Sequence, residues 1–308
     1  MTELCIDAKG VTRRYKGKRG INGVDLAIPA GRIVGLVGAN GSGKTTLLRA
    51  IVGLAGAEGH LRVNGLDPWV QRGAMMEDVT FIADTAILPR WMTATQVLDY
   101  VEGIHPRFDR AKAERFLART TVGRKMKVQH MSKGMVVQLH LAVVLAIDAR
   151  LLVLDEPTLG LDLVFRTTFY RTLLEEFASE ERTILVSTHQ VEEIEHILTD
   201  VVVLSEGKVV FQEAIDALET RFFELRAIPE RETEARRLGP IAEWRSLGQA
   251  QFLFDLTKSP GVTADMIRIL GEVRSPRLAD VLVRLMETAR PEMTGVGEWG
   301  HTQKESGQ

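Results

Sequence analysis

Three short stretches of this chain end in residue types that do chemistry, at spacings that say which chemistry. The first is "GANGSGKTT", with glycines at 38, 41 and 43 ahead of Lys44 and two threonines. Bare glycine backbone lets successive N–H groups converge on one anion, and a helix starting behind it adds the positive end of its dipole. The spacing G-x-x-x-x-G-K-[ST] is that of a phosphate-binding loop. In it Gly38, Ala39, Asn40, Gly41, Ser42 and Gly43 cradle phosphate oxygens, Lys44 reaches the terminal phosphates, and the Thr45 hydroxyl, next to Thr46, ligates Mg²⁺. The second stretch, "LLVLDEP", ends an apolar run in Asp155 and Glu156. Asp155 is expected to hold the Mg²⁺ shell, and Glu156 to polarise a water for attack on the γ-phosphate. The third, "TILVSTH", ends in His189, whose imidazole can hydrogen-bond a phosphate oxygen or the attacking water. Each has a plainer explanation: a glycine-rich turn, a helix-capping acid pair, a structural histidine. Their succession, each at the end of an apolar run, favours the chemical one.

Residues of this kind act together only if the elements behind them bring them together. "GVDLAIPAGRIVGLVG" reads as β structure running into Gly38, and Leu47, Leu48, Ile51 and Val52 are spaced as on a helix that stops at Gly53. The runs "LLVLD", "TILVST" and "DVVVLSEGKVVF" are continuously apolar, as strands buried on both faces of a mostly parallel sheet are. The helices "VFRTTFYRTLLEEFAS" and "VEEIEHIL" lie between them. Such sheets bind ligands at the carboxyl ends of their strands, where all three stretches fall. From about Thr93 to Ile147 three helical segments, "TATQVLDYVEGI", "DRAKAERFLART" and "KGMVVQLHLAVVLAI", form an insert. Past about Ala214 the composition turns to charged helix formers, with a β-like run in "AQFLFDL" and an amphipathic helix in "SPRLADVLVRLME". The polar tail "PEMTGVGEWGHTQKESGQ" has the composition of a disordered segment.

The whole chain narrows the choice further. Its 308 residues are 45% hydrophobic, enough for a sizeable core, and its net charge of -2 argues against a dedicated nucleic-acid binder. One cysteine, Cys5, allows no disulfide framework, and the first residues lack the basic and apolar regions of a signal peptide. Apolar runs such as "LAVVLAI" are far shorter than the ~18 to 20 residues of a spanning helix. A cytoplasmic location, with any membrane contact made through a partner, is the expectation.

With these motifs in order, the chain from about Leu4 to Phe211 resembles the nucleotide-binding subunit of ATP-binding cassette (ABC) transporters. The resemblance implies an α/β, P-loop NTPase cassette: a mainly parallel core sheet, an N-terminal antiparallel β part, a helical subdomain, and a small C-terminal α+β appendage. The implied division is a cassette over residues 1–213 with its helical part at about 93–147, an appendage over 214–290, and the tail from 291. In the family a signature "LSGGQ" opens a helix ahead of the acidic strand, and "MSKGM" stands there in this chain. Ser132 and Gly134 keep the serine and second glycine, and are expected to bind the γ-phosphate held by the opposite subunit of a head-to-tail dimer. Lys133 and Met135 replace the first glycine and the glutamine. Tyr15 falls where the family stacks an aromatic on adenine, and Asp162, in "LGLD", where a loop joins the two sites. Where the family carries a glutamine that touches Mg²⁺, this sequence has Asp84, a hard-cation ligand that adds negative charge near triphosphate.

The resemblance implies ATP and Mg²⁺ as ligands, a second cassette subunit (the same chain or another), a separate transmembrane permease subunit, and a peripheral place on the inner face of the cell membrane. "ILPRWM" offers Ile87, Leu88, Trp91 and Met92 either as a docking surface or as packing against the helical insert. "SKGM" with an acid at the glutamine position is similar to cassettes of bacterial exporters linked to GntR-type regulators, and "EVRSPRLADVLVRLM" resembles the close of many exporter cassettes. The rival function is a soluble cassette ATPase with a regulatory, DNA-repair or translation role. Against it stand the absence of sustained heptads between the phosphate loop and "MSKGM" and the single set of motifs; a third reading, a non-hydrolysing regulatory or interaction module, is disfavoured by the presence of Lys44, Asp155, Glu156 and His189.

Overall fold

The computed structural model describes residues 3–16, 18–83, 88–159, 161, 163–177, 182–246, 248–259 and 261–288. The chain divides into two compact units, one running through Phe222 and the other taking over at Phe223, with Arg277–Ala279 assigned to the first.

The first unit opens with two long antiparallel strands, β1 (Leu4–Tyr15) and β2 (Lys18–Pro29), followed by β3 (Ile33–Val37), helix α1 (Lys44–Ile51) and β4 (Glu58–Val63). A short helix, α2 (Arg72–Met75), leads to β5 (Val79–Ile82). Three helices follow, α3 (Ala94–Ile104), α4 (Arg110–Leu117) and α5 (Lys133–Leu145). Beyond them come β6 (Leu151–Asp155), α6 (Leu163–Phe177), β7 (Thr183–Thr188), β8 (Asp200–Ser205), β9 (Lys208–Ala214) and α7 (Ile215–Arg221). β2, β1 and β4 form one antiparallel sheet; the other has the order β5-β6-β7-β3-β8-β9. In this second sheet the first five strands pair in parallel, and β9 is added antiparallel to β8 through a hairpin. Its turn has positive φ at Glu206 (50°) and Gly207 (80°), the pairing of dihedrals that suits a two-residue hairpin.

The order of the strands matters more than their number. β6, β7 and β3 are immediate neighbours, so Asp155, the end of β7 and the loop after β3 emerge side by side although far apart in sequence. Every residue of β6 and of β7 is buried, which explains why both read as unbroken apolar runs. α1 is seated in the same core: Leu47, Leu48 and Ile51 are fully buried among Ile6, Val24 and Ile28 of the antiparallel sheet and Leu36, Val153 and Leu185 of the parallel one. Each such side chain contributes roughly 1.5–3 kcal/mol through burial, so the helix start cannot drift.

The helical insert has a small core of its own, including Val97, Leu98, Ala113, Leu117, Leu139 and Val143. Its helices begin on side-chain caps: Thr93 in a reciprocal box with Gln96, Asp109 accepting from the Lys112 amide, and Ser132 from the Met135 amide. The stretch "ILPRWM" divides. Leu88 and Met92 pack against this core, while Trp91 is 64% exposed; Ile87 lies outside the described residues.

One expected element differs. "VEEIEHIL" folds as two 3₁₀ turns, Val191–Glu193 and Glu195–Ile197, instead of an α-helix. Its buried residues are Val191, Ile194, Ile197 and Leu198, and Ile194, whose φ of -125° is outside the helical range, separates the two turns.

The second unit pairs β11 (Ala242–Ser246), β12 (Gln249–Asp255), β10 (Phe222–Ala227) and β13 (Gly271–Arg274) in that order, with helices α8 (Glu232–Arg237), α9 (Ala264–Arg268) and α10 (Leu278–Thr288). Phe252, Phe254, Leu225 and Ile267 form its core. The buried Glu224 carboxylate is matched by Arg274 at 2.5 Å. The stretch expected to be a disordered tail lies outside the described residues.

His140, on α5, has its ring Nδ1 enclosed without a hydrogen-bond partner, and burial pulls its pKa from 6.5 down to about 4. The folded chain therefore keeps the ring neutral where the unfolded chain takes up a proton. Stability should fall as pH drops from 6.5 toward 4 and level off below that. In urea titrations at pH 7 and pH 4.5, His140→Gln should shrink the difference between the two pH values by up to about 3 kcal/mol.

Candidate functional site

The loop between β3 and α1 has a backbone that only glycine can supply at its key points. A Cβ on Gly38 would meet the Leu204 carbonyl oxygen at 2.3 Å and the Ser42 Oγ at 2.6 Å. Gly41 and Gly43 hold φ of +80° and +110°, in the left-handed region. The loop is braced from the β8–β9 hairpin, whose Gly207 N–H donates to the Ser42 carbonyl at 2.8 Å. Gly207 in turn accepts from the Asn22 N–H, also at 2.8 Å. Ser42 Oγ is enclosed with no hydrogen-bond partner, an orphaned polar atom inside a loop shaped for an anion. These features fit a bound phosphate.

Lys44, the first residue of α1, is only 6% exposed. Its ammonium donates to the Gly38 carbonyl at 2.7 Å and lies 3.3 Å from Glu156 Oε1. The other carboxylate oxygen of Glu156, Oε2, is 2.8 Å from His189 Nδ1. One carboxylate therefore spans the lysine of the first motif and the histidine of the third. Glu156 reaches this position with φ at +47°, a left-handed conformation that costs a non-glycine residue about 1–3 kcal/mol. Its amide pays none of the usual penalty of a bent strand end, because it donates to both the Ser187 carbonyl (3.2 Å) and the Ser187 Oγ (3.0 Å). Ser187 Oγ also donates to Asp155 Oδ1 at 2.8 Å. A single fully buried hydroxyl thus orients both acids.

The structure brings together Lys44, Asp155, Glu156 and His189, with Ser42 and Thr45 on the same loop and helix start. Among the described residues, no hydrogen bond joins Ser132 or Gly134 to the phosphate loop. Ser132 Oγ is used in capping α5, and Gly134 is buried in that helix's first turn. Tyr15 ends β1 opposite Lys18, with the Arg13 guanidinium 5.1 Å above its ring. Asp84 and Asp162 lie outside the described residues. Among the described residues no cluster of three His, Cys, Asp or Glu side chains is placed to hold a metal. The fit for Mg²⁺ is instead one carboxylate, Asp155, and one hydroxyl, Thr45, the sparse oxygen set that suits a cation shared with substrate phosphates.

Ser187 and Gly207 escaped the sequence reading. Ser187 looked like one more strand residue, and Gly207 like an ordinary turn; only their partners in space give them a role. A cavity of about 970 Å³ lined by Cys5, Arg107, Asp148, Arg150 and Arg182 lies at the opposite, amino-terminal ends of β6 and β7, away from these groups.

A glycine-built anion loop, a buried lysine and a glutamate–histidine pair at the carboxyl ends of adjacent parallel strands define a nucleotide-hydrolysing P-loop protein. Residues 21–159 match the family described as "ABC transporter". The chain is 32% identical over 221 residues to the ABC transporter ATP-binding protein NatA of Bacillus subtilis (strain 168), covering 67% of this chain and 88% of that one. It is 31% identical over 278 residues to the daunorubicin resistance ATP-binding protein DrrA3 of Streptomyces coeruleorubidus, covering 88% and 83%. A solved ATP-binding subunit of an ABC transporter superposes with a TM-score of 0.63 at 23% identity, over 70% of this chain and 92% of that one. The chain belongs to the ATP-binding subunits of ABC transporters, and is an ATPase. No helix among its described residues is long and apolar enough to cross a membrane.

Removing the shared hydroxyl isolates its contribution. Ser187→Ala should lower stability by about 1–3 kcal/mol, because Asp155 and the Glu156 amide lose their common partner. ATP turnover should fall while nucleotide affinity stays near wild type; thermal melts and steady-state kinetics check the two effects.

Proposed function

We propose that this chain powers a transporter by closing head to tail on a second cassette subunit, with an ATP molecule held in each of two shared sites. The observation that carries this reading is the Glu156 carboxylate, held between the Lys44 ammonium and the His189 ring. Residues 38–46 bind the phosphates of one ATP, and Ser132 and the Gly134 backbone of the opposing subunit bind its γ-phosphate from the far side. That role fits their position at the start of α5, where the positive end of the helix dipole suits an anion. Tyr15 stacks on the adenine, and Asp162 joins the two sites across the dimer.

Glu156 accepts the proton of the attacking water, and His189 holds the glutamate and the γ-phosphate in register. Thr45, Asp155 and Asp84 would hold Mg²⁺, which would supply positive charge against the phosphates. The residues 1–213 act as the cassette, 214–290 as an appendage. The transmembrane permease subunit is a separate chain. The half-split docking loop supports this, since Trp91 is left outside the helical core while its neighbours are packed inside. A location on the inner face of the membrane follows from that partner. Export is the direction we infer: the likeness to the relative named for daunorubicin resistance covers 88% of this chain, against 68% for a relative named for aliphatic sulfonates import.

Glu156→Gln should lower ATP turnover by about 100-fold or more while leaving ATP binding intact; near-normal turnover would remove the base assignment. Lys44→Ala should lose most nucleotide affinity, and calorimetry showing wild-type binding would remove the phosphate-loop assignment. The tagged chain, recovered from detergent-solubilised membranes under Mg-ATP, should bring with it one stoichiometric protein with several apolar spans. Recovery without such a protein would count against the transporter assembly.

A further inference from the structure

α6 is tied to both of the loops that leave β6 and β7. In its first turn the Arg166 guanidinium donates through Nε to the Leu161 carbonyl at 2.8 Å. Through Nη1 it donates to the Gln190 amide oxygen and to the Glu193 carboxylate. Leu161 belongs to the loop that follows Glu156, and Gln190 is the residue after His189. One turn further along α6, the Tyr170 hydroxyl pairs with the Thr158 hydroxyl at 3.3 Å, and both groups are buried. The loop after the acidic pair is thus held to α6 at two points, and the loop after the histidine at two more.

The histidine needs such support. Its side chain is 33% exposed, so packing alone does little to fix the ring that meets Glu156 Oε2. The backbone behind it continues as two 3₁₀ turns, which are weakly self-supporting. Local help comes from the Thr188 hydroxyl, which accepts from the Gln190 amide at 2.9 Å. Arg166 and Glu193 are 21% and 19% exposed, shielded enough for their pairing to count for more than a surface ion pair. A planar guanidinium can serve a carbonyl, an amide oxygen and a carboxylate at once; a lysine ammonium at the end of its stem cannot span the same three.

We propose that Arg166 is a positioning residue for hydrolysis, clamping the loop behind Glu156 to the loop behind His189 so that the two side chains stay in register. The proposal rests on the reading of Glu156 and His189 given above. It goes further in assigning their alignment to a residue that touches neither the nucleotide nor the water.

The test uses the full chain with Mg-ATP. Arg166→Lys keeps the charge and should lower kcat by about tenfold or more, with KM for ATP within about twofold of wild type. In a His189→Ala background the same substitution should change the residual turnover by less than about twofold, because the group it positions is gone. Equal losses in both backgrounds, or a wild-type kcat in Arg166→Lys, overturn the proposal. Unchanged turnover in His189→Ala alone would overturn it by a different route, through the histidine's own role. A second measurement does not depend on turnover. In the chain labelled with ¹⁵N-histidine, and with the His189 signal assigned by His189→Asn, Arg166→Lys should displace the His189 ring resonances and leave those of the other histidines in place. Unmoved His189 resonances overturn the proposal, and displacement of all of them would mean a general loss of structure and overturn it equally.

Discussion

A lysine ammonium withdrawn almost entirely from water has to be met by acceptors placed within hydrogen-bond reach, or the folded state is penalised by several kcal/mol. In this protein the acceptors are the Gly38 carbonyl, from the loop the lysine itself closes, and the Glu156 carboxylate, from a strand more than a hundred residues later in the chain. Meeting Lys44 therefore fixes where β6 must end relative to β3. The sheet order satisfies this with one strand between them, and that strand, β7, supplies Ser187 and leads directly into His189 to complete the cluster. The charge at the centre and the parallel topology are two descriptions of one requirement.

Rigidity comes from different sources on the two sides of this cluster. On the phosphate-loop side it is apolar: α1 is buried between two sheets, and the β8–β9 hairpin pins the loop through the Gly207 amide. On the acid side it is polar, through Ser187 beneath the strand ends and Arg166 and Tyr170 beside them. Polar ties of this kind are directional, and each depends on a few specific atoms. They hold geometry closely, and the loss of one atom releases the loop it holds.

Chemistry that lies within one continuous stretch was legible before any fold was known. Gly38 to Thr46 announce themselves because all of their partners are near neighbours or the ligand. Asp155, Glu156 and His189 were legible because each ends a run of buried strand, and strand ends are where an α/β sheet exposes reactive groups. What could not be read was contact between distant segments. Ser187 is one polar residue in an apolar strand, and nothing in "LVST" says that its hydroxyl faces Asp155. The stretch "VEEIEHIL" has residues that favour a helix, but its backbone breaks at Ile194 into two 3₁₀ turns, and Glu193 is held by Arg166 from α6, a contact the local sequence does not show. Tyr15 was placed by analogy of position, and the guanidinium above its ring comes from Arg13, two residues earlier on the same strand.

The only cysteine of the chain sits in β1, buried, with its thiol donating to Asn64 Oδ1 at 3.3 Å and burial pushing its pKa up to about 11. A thiol in that condition carries almost no thiolate near neutral pH and is a poor target for maleimides and similar reagents. The native chain is in effect already free of reactive cysteine. A single cysteine introduced on an exposed helix or loop would be the one labelled position, so its surroundings can be followed by fluorescence or spin probes without first rebuilding the core around residue 5.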